Sequence, residues 1–361
     1  MIAGCRSLVR AFVAAALVLL LGACLVTPYS AQPNERFFYL RRGNALLPVW
    51  VRGDSDSDVV VIILHGGPGD TSNVYRLNDT FGPLEEDYTF VYWDQRGSGM
   101  SQGRESPETL TAEHSARDLD ALVQVMKTRR PEASIFLHGH SWGGLLGTQY
   151  LGNPERQARV DGWIEVNGGH DWPAGMELSV QWVTDYAEER IRSPDVSDAD
   201  KQFWQDALVW YRENPLDGET ATSISWILTH TGKYVDRAYG YFTGENYDRI
   251  MGELGGDVEQ GLHSMFTFNG QWAWFADREV PVWEANDTSD FLDDITLPTL
   301  IAWGRHDGIL PAPQGQDAYD RIATPAEDKT LVYFENSAHS PMFEEPDAFF
   351  AVVRAFIEEY R

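Results

Sequence analysis

The stretch DVVVIILHGG, residues 58–67, constrains the fold more than any other: Val59 to Leu64 run without a single polar residue and end in glycines. A strand with one wet face alternates apolar and polar residues. An unbroken run must be buried on both faces, the pattern of a parallel sheet covered by helices. YTFVYWDQRG (88–97) and SIFLHGHS (134–141) repeat the design. Between them, TAEHSARDLDALVQVMKTRR sets Ala116, Leu119, Leu122, Val123 and Met126 along one helical face behind Thr111, a candidate N-cap. WGGLLGTQYLGN starts a further helix. VDGWIEVNG, LPTLIAWGRHD and TLVYFENSAH read as strands, and PDAFFAVVRAFIEEY closes as an amphipathic helix. RFFYLRR and LLPVWVRG form an opening hairpin that turns at Gly43-Asn44. Alternation of strand and helix predicts the α/β class, with a mostly parallel sheet flanked by helices.

The alternation stops near Gly168. Residues 169–295 read as helix and loop and hold eight of the thirteen tryptophans: Trp172, Trp182, Trp204, Trp210, Trp226, Trp272, Trp274 and Trp283. The expected organisation is therefore a core at 36–168 and 296–361, with a large helical cap at 169–295 inserted between its strands. At the other end, Arg6 and Arg10 precede an apolar run from Ala11 to Leu21, which is too short to span a bilayer. LGAC, residues 21–24, resembles a bacterial lipobox. The expectation is a lipoprotein signal at 1–23, a lipid-bearing Cys24 and a polar tether at 24–35. Leu25 lacks the acidic character that commonly retains lipoproteins on an inner membrane, so the expected place is the outer membrane of a cell envelope, periplasmic face. The other cysteine, Cys5, would leave with the signal, so no disulfide is expected. A formal net charge of −27 offers no basic footprint and excludes nucleic acid as a partner. The sequence assigns no oligomeric state.

Gly139-His140-Ser141-Trp142-Gly143 fits G-x-S-x-G and lies between a predicted strand and a predicted helix. A tight corner of this kind needs glycines close to the serine. The helix behind it offers free N–H groups and partial positive charge. A serine hydroxyl is a poor nucleophile and needs a base. His138 and His140 are too near Ser141 in sequence to serve, His65 belongs to a glycine turn and His306 flanks a strand end. His339, in NSAHSPMFEEP, follows a strand and can fold over the same edge of the sheet. Asp307, in AWGRHDGILP, is the candidate carboxylate that fixes the tautomer of the base. The chain order Ser141, Asp307, His339 is that of an α/β-hydrolase. HGGPG (65–69) follows an early strand. Its Gly67 N–H, with that of Trp142, can face a tetrahedral oxyanion, each donor contributing about 3 to 4 kcal/mol. No H-E-x-x-H, cysteine cluster or dinucleotide fingerprint is present, so no metal and no cofactor is implied.

HGGPG, DQRGSGMS (94–101), GHSWGG (139–144), GRHD (304–307) and AHSPMFEEP together resemble the proline iminopeptidase branch of the α/β-hydrolase superfamily. The resemblance implies a Ser-His-Asp triad, a mainly structural DQRG loop, and release of N-terminal residues from short peptides. It also implies that acidic cap residues hold the substrate amine, for which Glu213 and Glu284 are the candidates. The chain departs from the branch at His140, where GGSWG has glycine, and carries no Trp-x-x-Trp-Glu stretch. The expected function is a serine hydrolase working through an acyl-enzyme on a short peptide or another small molecule. The alternatives are a carboxylesterase or lactonase, and a non-catalytic envelope lipoprotein that binds a ligand in a hydrolase cleft.

Overall fold

A computed structural model describes residues 35–76, 79–103, 107–216, 231–238 and 287–361. Among these residues eight strands form one sheet: β1 (Arg36–Arg42), β2 (Ala45–Gly53), β3 (Val59–Leu64), β4 (Thr89–Trp93), β5 (Ser134–His140), β6 (Gly162–Val166), β7 (Thr299–Gly304) and β8 (Lys329–Phe334). Their spatial order is β1-β2-β4-β3-β5-β6-β7-β8. β2 runs antiparallel to β1 and β4, and the pairs from β4 to β8 are all parallel. The longer helices are α1 (Ala112–Arg129), α2 (Trp142–Leu151), α3 (Trp172–Arg192), α4 (Asp198–Glu213), α5 (Gly232–Ala238), α6 (Pro313–Arg321) and α7 (Pro346–Tyr360).

The apolar run of β3 is buried at every position. Successive side chains of a strand point to opposite faces. Val60, Ile62 and Leu64 accordingly join one core with Val91, Leu119, Val123, Leu145 and Trp303. Val59, Val61 and Ile63 join the other with Phe90, Phe136, Phe349 and Phe356. Each fully buried aliphatic side chain contributes about 1.5–3 kcal/mol relative to an exposed one, so both faces of this strand hold the sheet between its helices. The α1 start expected at Thr111 is present: its hydroxyl accepts the His114 N–H at 3.2 Å.

From β3 the chain moves outward to β4, then returns across β3 to β5 and proceeds to β8. The direction of winding therefore reverses between β3 and β5. In an open parallel sheet that reversal leaves a crevice beyond the carboxyl ends of the strands, and the segments HGGPG and GHSWGG both emerge there. Between β6 and β7, α3 packs on α4 with Val183, Ala187 and Trp204 buried. Trp182 stacks on Tyr186 with ring centroids 5.4 Å apart. The Ser179 hydroxyl of α3 donates to the Gly308 carbonyl, joining this helix to the turn after β7. Trp226, Trp272, Trp274, Trp283, Glu284 and Cys24 lie outside the described residues.

Candidate active site

Ser141 stands at the corner between β5 and α2, with φ 56° and ψ −119°. Such backbone angles cost about 1–3 kcal/mol in a non-glycine residue and persist only where the surroundings enforce them. Here the Ser141 N–H donates to the Val166 carbonyl at 3.1 Å, and the Ser141 carbonyl accepts from Gly144 at 2.9 Å and Gly169 at 3.0 Å. The corner is also pressed onto β3: a Cβ at Gly143 would overlap the Leu64 carbonyl. That close approach is the physical need behind the last glycine of G-x-S-x-G.

Asp307 follows β7 and is fully buried. Its Oδ1 accepts the backbone N–H groups of Ile309 at 2.8 Å and Leu310 at 3.0 Å. Its Oδ2 accepts the Asn167 side-chain amide at 2.6 Å and His339 Nδ1 at 2.7 Å. Four donors converging on two oxygens suit an ionised carboxylate, which only accepts. His339 therefore carries its proton on Nδ1 and keeps a lone pair on Nε2, the tautomer a general base requires.

The segment bearing His339 is held by the two glutamates that follow it. Glu344 Oε2 accepts the N–H groups on either side of His339, Ala338 at 2.9 Å and Ser340 at 3.0 Å. Burial pushes the Glu344 carboxyl up to about 7, and those two backbone hydrogen bonds act against the rise. Glu345 Oε2 accepts the Asn336 N–H at 2.9 Å and the Ser337 hydroxyl at 2.7 Å. From the sheet side, His140 Nε2 lies 2.7 Å from the His339 carbonyl oxygen. The two imidazole rings are 4.9 Å apart.

The glycine loop lies beside this corner. A Cβ on Gly66 would come within 3.4 Å of the Ser141 Cβ. Gly67 has φ +125°, a value that L side chains rarely adopt. Buried His65 accepts the Gln95 N–H on Nε2 at 3.1 Å, so Nδ1 carries the proton and donates to the Gly66 carbonyl at 2.8 Å. Burial lowers the His65 pKa, in keeping with that neutral tautomer. The Gln95 side chain donates to the His65 carbonyl at 3.0 Å and accepts from the Trp142 indole at 3.0 Å. Its neighbour Asp94 takes Thr71, both donors of Ser72, and the Met100 N–H, at 2.7 to 3.1 Å. The DQRG segment thus fastens the glycine loop to the serine corner.

The structure brings Asp307 and His339 together, and ties the His339 carbonyl to His140, the residue before Ser141. Glu213 is exposed at the last position of α4. Asn167, Gln95, Glu344 and the part played by His140 were not among the expected site residues. Asn167 has a sequence signal in retrospect, an asparagine before glycines at a strand end, and it adopts a left-handed φ of 45°. The other three have none: Gln95 and His140 meet partners remote in sequence, and Glu344, whose partners lie close before it, is one acid of an acidic pair.

A family profile described as the alpha/beta hydrolase fold matches residues 59–346. The chain is 26% identical over 313 residues to the protein named probable aminopeptidase YbaC of Bacillus subtilis, covering 85% of this chain and 91% of that one. It is 24% identical over 315 residues to a proline iminopeptidase of Saccharolobus solfataricus, covering 83% and 84% respectively. The crystal structure of the proline iminopeptidase of Mycobacterium smegmatis superposes with a TM-score of 0.60 at 20% identity, over 90% of this chain and 98% of that one.

Proposed function

The chain belongs to the α/β-hydrolase fold family, and from that premise we propose that it is a serine hydrolase that releases N-terminal residues from short peptides. The observation that carries the chemistry is the Asp307–His339 pair at 2.7 Å, on a carboxylate whose remaining positions are taken by Asn167, Ile309 and Leu310. In this reading His339 Nε2 takes the Ser141 proton as the hydroxyl oxygen attacks the substrate carbonyl. Asp307 stabilises the imidazolium that forms and stays unprotonated. The oxyanion faces the N–H groups of Gly67 and Trp142. Collapse of the tetrahedral intermediate passes the His339 proton to the leaving amine and leaves an acyl group on Ser141. Water, deprotonated by His339, then frees the acid and restores the enzyme.

The peptidase assignment is supported by the names of the sequence relatives, an aminopeptidase and a proline iminopeptidase. A free substrate amine is its chemical hallmark. The test is a paired panel of aminoacyl nitroanilides and their N-acetylated forms, with a nitrophenyl ester and a fluorophosphonate label. The expected result is labelling at Ser141, loss of all turnover in Ser141→Ala, and a strong preference for the free amine. Turnover retained in Ser141→Ala overturns the mechanism. Equal rates on free and acetylated substrates leave the mechanism standing and replace the peptidase with an esterase. The same reading keeps the enzyme on the cell envelope through a lipid at Cys24, supported by LGAC at 21–24. Incorporation of labelled palmitate that survives Cys24→Ser overturns that placement.

A further inference from the structure

His140 occupies the position before the nucleophile, where the resembling branch carries glycine. Its ring is buried at the end of β5 and makes two hydrogen bonds. A carbonyl oxygen only accepts, so the 2.7 Å contact with the His339 carbonyl places a proton on His140 Nε2. Nδ1 is then a lone pair, and it accepts the Tyr75 hydroxyl at 2.7 Å. Burial and the nearby His339 both drive the His140 pKa well below the usual histidine range, so the ring stays neutral. Tyr75 is buried on a single helical turn, Asn73–Arg76, and stacks on Phe81 and Phe343, each 6.0 Å away. One chain of hydrogen bonds thus runs from Tyr75 through His140 to the backbone of the base.

We propose that His140, oriented by Tyr75, is a positioning residue that holds the base loop at the serine corner through the His339 carbonyl. The proposal rests on the serine-hydrolase reading above. Asp307 anchors the His339 side chain, and Glu344 anchors the N–H groups on either side of it. With those points fixed, the carbonyl of residue 339 is the handle that sets how closely the loop lies on β5. Displacing a reacting group by about 1 Å costs on the order of 10²-fold in rate. His140 ties that handle to the residue next to the nucleophile, so the distance between base and nucleophile is set across one residue. Being neutral, His140 adds no charge against the imidazolium that forms on His339.

The test uses the full chain with a nitrophenyl ester, and records kcat, KM and melting temperature for each variant. His140→Ala and His140→Asn are expected to lower kcat by roughly 10- to 100-fold with KM within about two-fold. His140→Gln, whose amide nitrogen reaches where Nε2 stood, is expected to recover most of that loss. Tyr75→Phe should lower kcat less, and adding it to His140→Ala should cost nothing more, because the two act in one chain. An unchanged kcat in His140→Ala overturns the proposal, as does a His140→Gln as slow as His140→Ala. If His140→Ala fails to fold, Tyr75→Phe decides alone: a lowered kcat at unchanged melting temperature supports the proposal and an unchanged kcat overturns it. Ser141→Ala separates the two levels. If it is inactive while His140→Ala is fully active, only the positioning role falls.

Discussion

The side-chain oxygen of Gln95 accepts the indole N–H of Trp142 at 3.0 Å, while the amide of the same side chain donates to the His65 carbonyl at 3.0 Å. One buried glutamine thereby spaces the two segments that bear the proposed oxyanion donors. Gln95→Leu keeps the volume and removes both bonds. It is expected to lower kcat by roughly 10-fold or more, against the 10²–10³-fold that loss of a whole oxyanion donor costs. It should also destabilise the fold by about 1–3 kcal/mol for each buried group left unpaired. Steady-state rates with a urea titration check both; an unchanged kcat in a destabilised variant would show the bridge to be structural alone.

Asn167 supports the acid in the same manner. Its amide donates to Asp307 at 2.6 Å, its carbonyl oxygen accepts the Gly304 N–H at 3.3 Å, and its backbone sits at φ 45°. Alanine would remove the amide and also strain the backbone. Glycine tolerates the angle, so Asn167→Gly isolates the hydrogen bond. The expectation is a fall in kcat of about 10-fold in both variants, with the greater loss of stability in Asn167→Ala. Equal kcat in Asn167→Gly and the parent would show that Asp307 needs no help from this side chain.

These two residues mark where sequence reasoning stops. The unbroken run Val59–Leu64 was legible because burial on both faces leaves a pattern within six residues. Thr111 was legible because a cap acts within one turn. The parallel sheet flanked by helices followed from such local rules. Ser141, Asp307 and His339 could be nominated because each ends a predicted strand and their chain order is informative. The contacts that hold them cannot be read that way. Gln95 meets Trp142 across 47 residues, and His140 meets His339 across 199. His140 is too near Ser141 in sequence to be expected as its base. That local rule says nothing of its ring, whose partners Tyr75 and the His339 carbonyl lie 65 and 199 residues away. Whether an acid such as Glu213 or Glu284 faces a cleft depends on helix rotation, which composition does not carry. Glu213 faces solvent.

His170 links β6 to α6. Its Nδ1 lies 3.3 Å from Glu165 and its Nε2 3.3 Å from Asp317. Burial alone would lower its pKa. The hydrogen bonds to Asp317 and then Glu165 outweigh that and raise it to about 9. Asp317 is lowered in turn, first by its hydrogen bond to His170. A pKa raised in the folded state stabilises fully below the unfolded value near 6.5 and is lost as pH rises through about 9. His170→Gln should therefore be less stable than the parent at pH 6, by on the order of 3 kcal/mol. The gap should close by pH 10. Urea titrations across that range measure it, and a gap independent of pH would mean that the imidazolium is not the source.

His138 supplies the opposite limb. It is buried in β5 with its ring 5.1 Å from Phe81 and 6.0 Å from Phe349, and among the described residues neither ring nitrogen has a hydrogen-bond partner. Burial lowers its pKa to about 4. The unfolded chain then binds a proton near 6.5 that the folded chain refuses until about 4. The stability linked to this group is complete above 6.5 and falls away as pH drops toward 4. His138→Leu replaces the ring by a side chain of similar size with nothing to protonate. Relative to the parent, the variant should gain on the order of 3 kcal/mol between pH 7 and pH 4. At pH 7 the exchange should already stabilise the fold, by about 1–3 kcal/mol, since it replaces two unpaired buried nitrogens by apolar contact. Acid unfolding of parent and variant side by side checks the slope. If the two curves run parallel from pH 7 to pH 4, protonation of His138 has no share in acid unfolding.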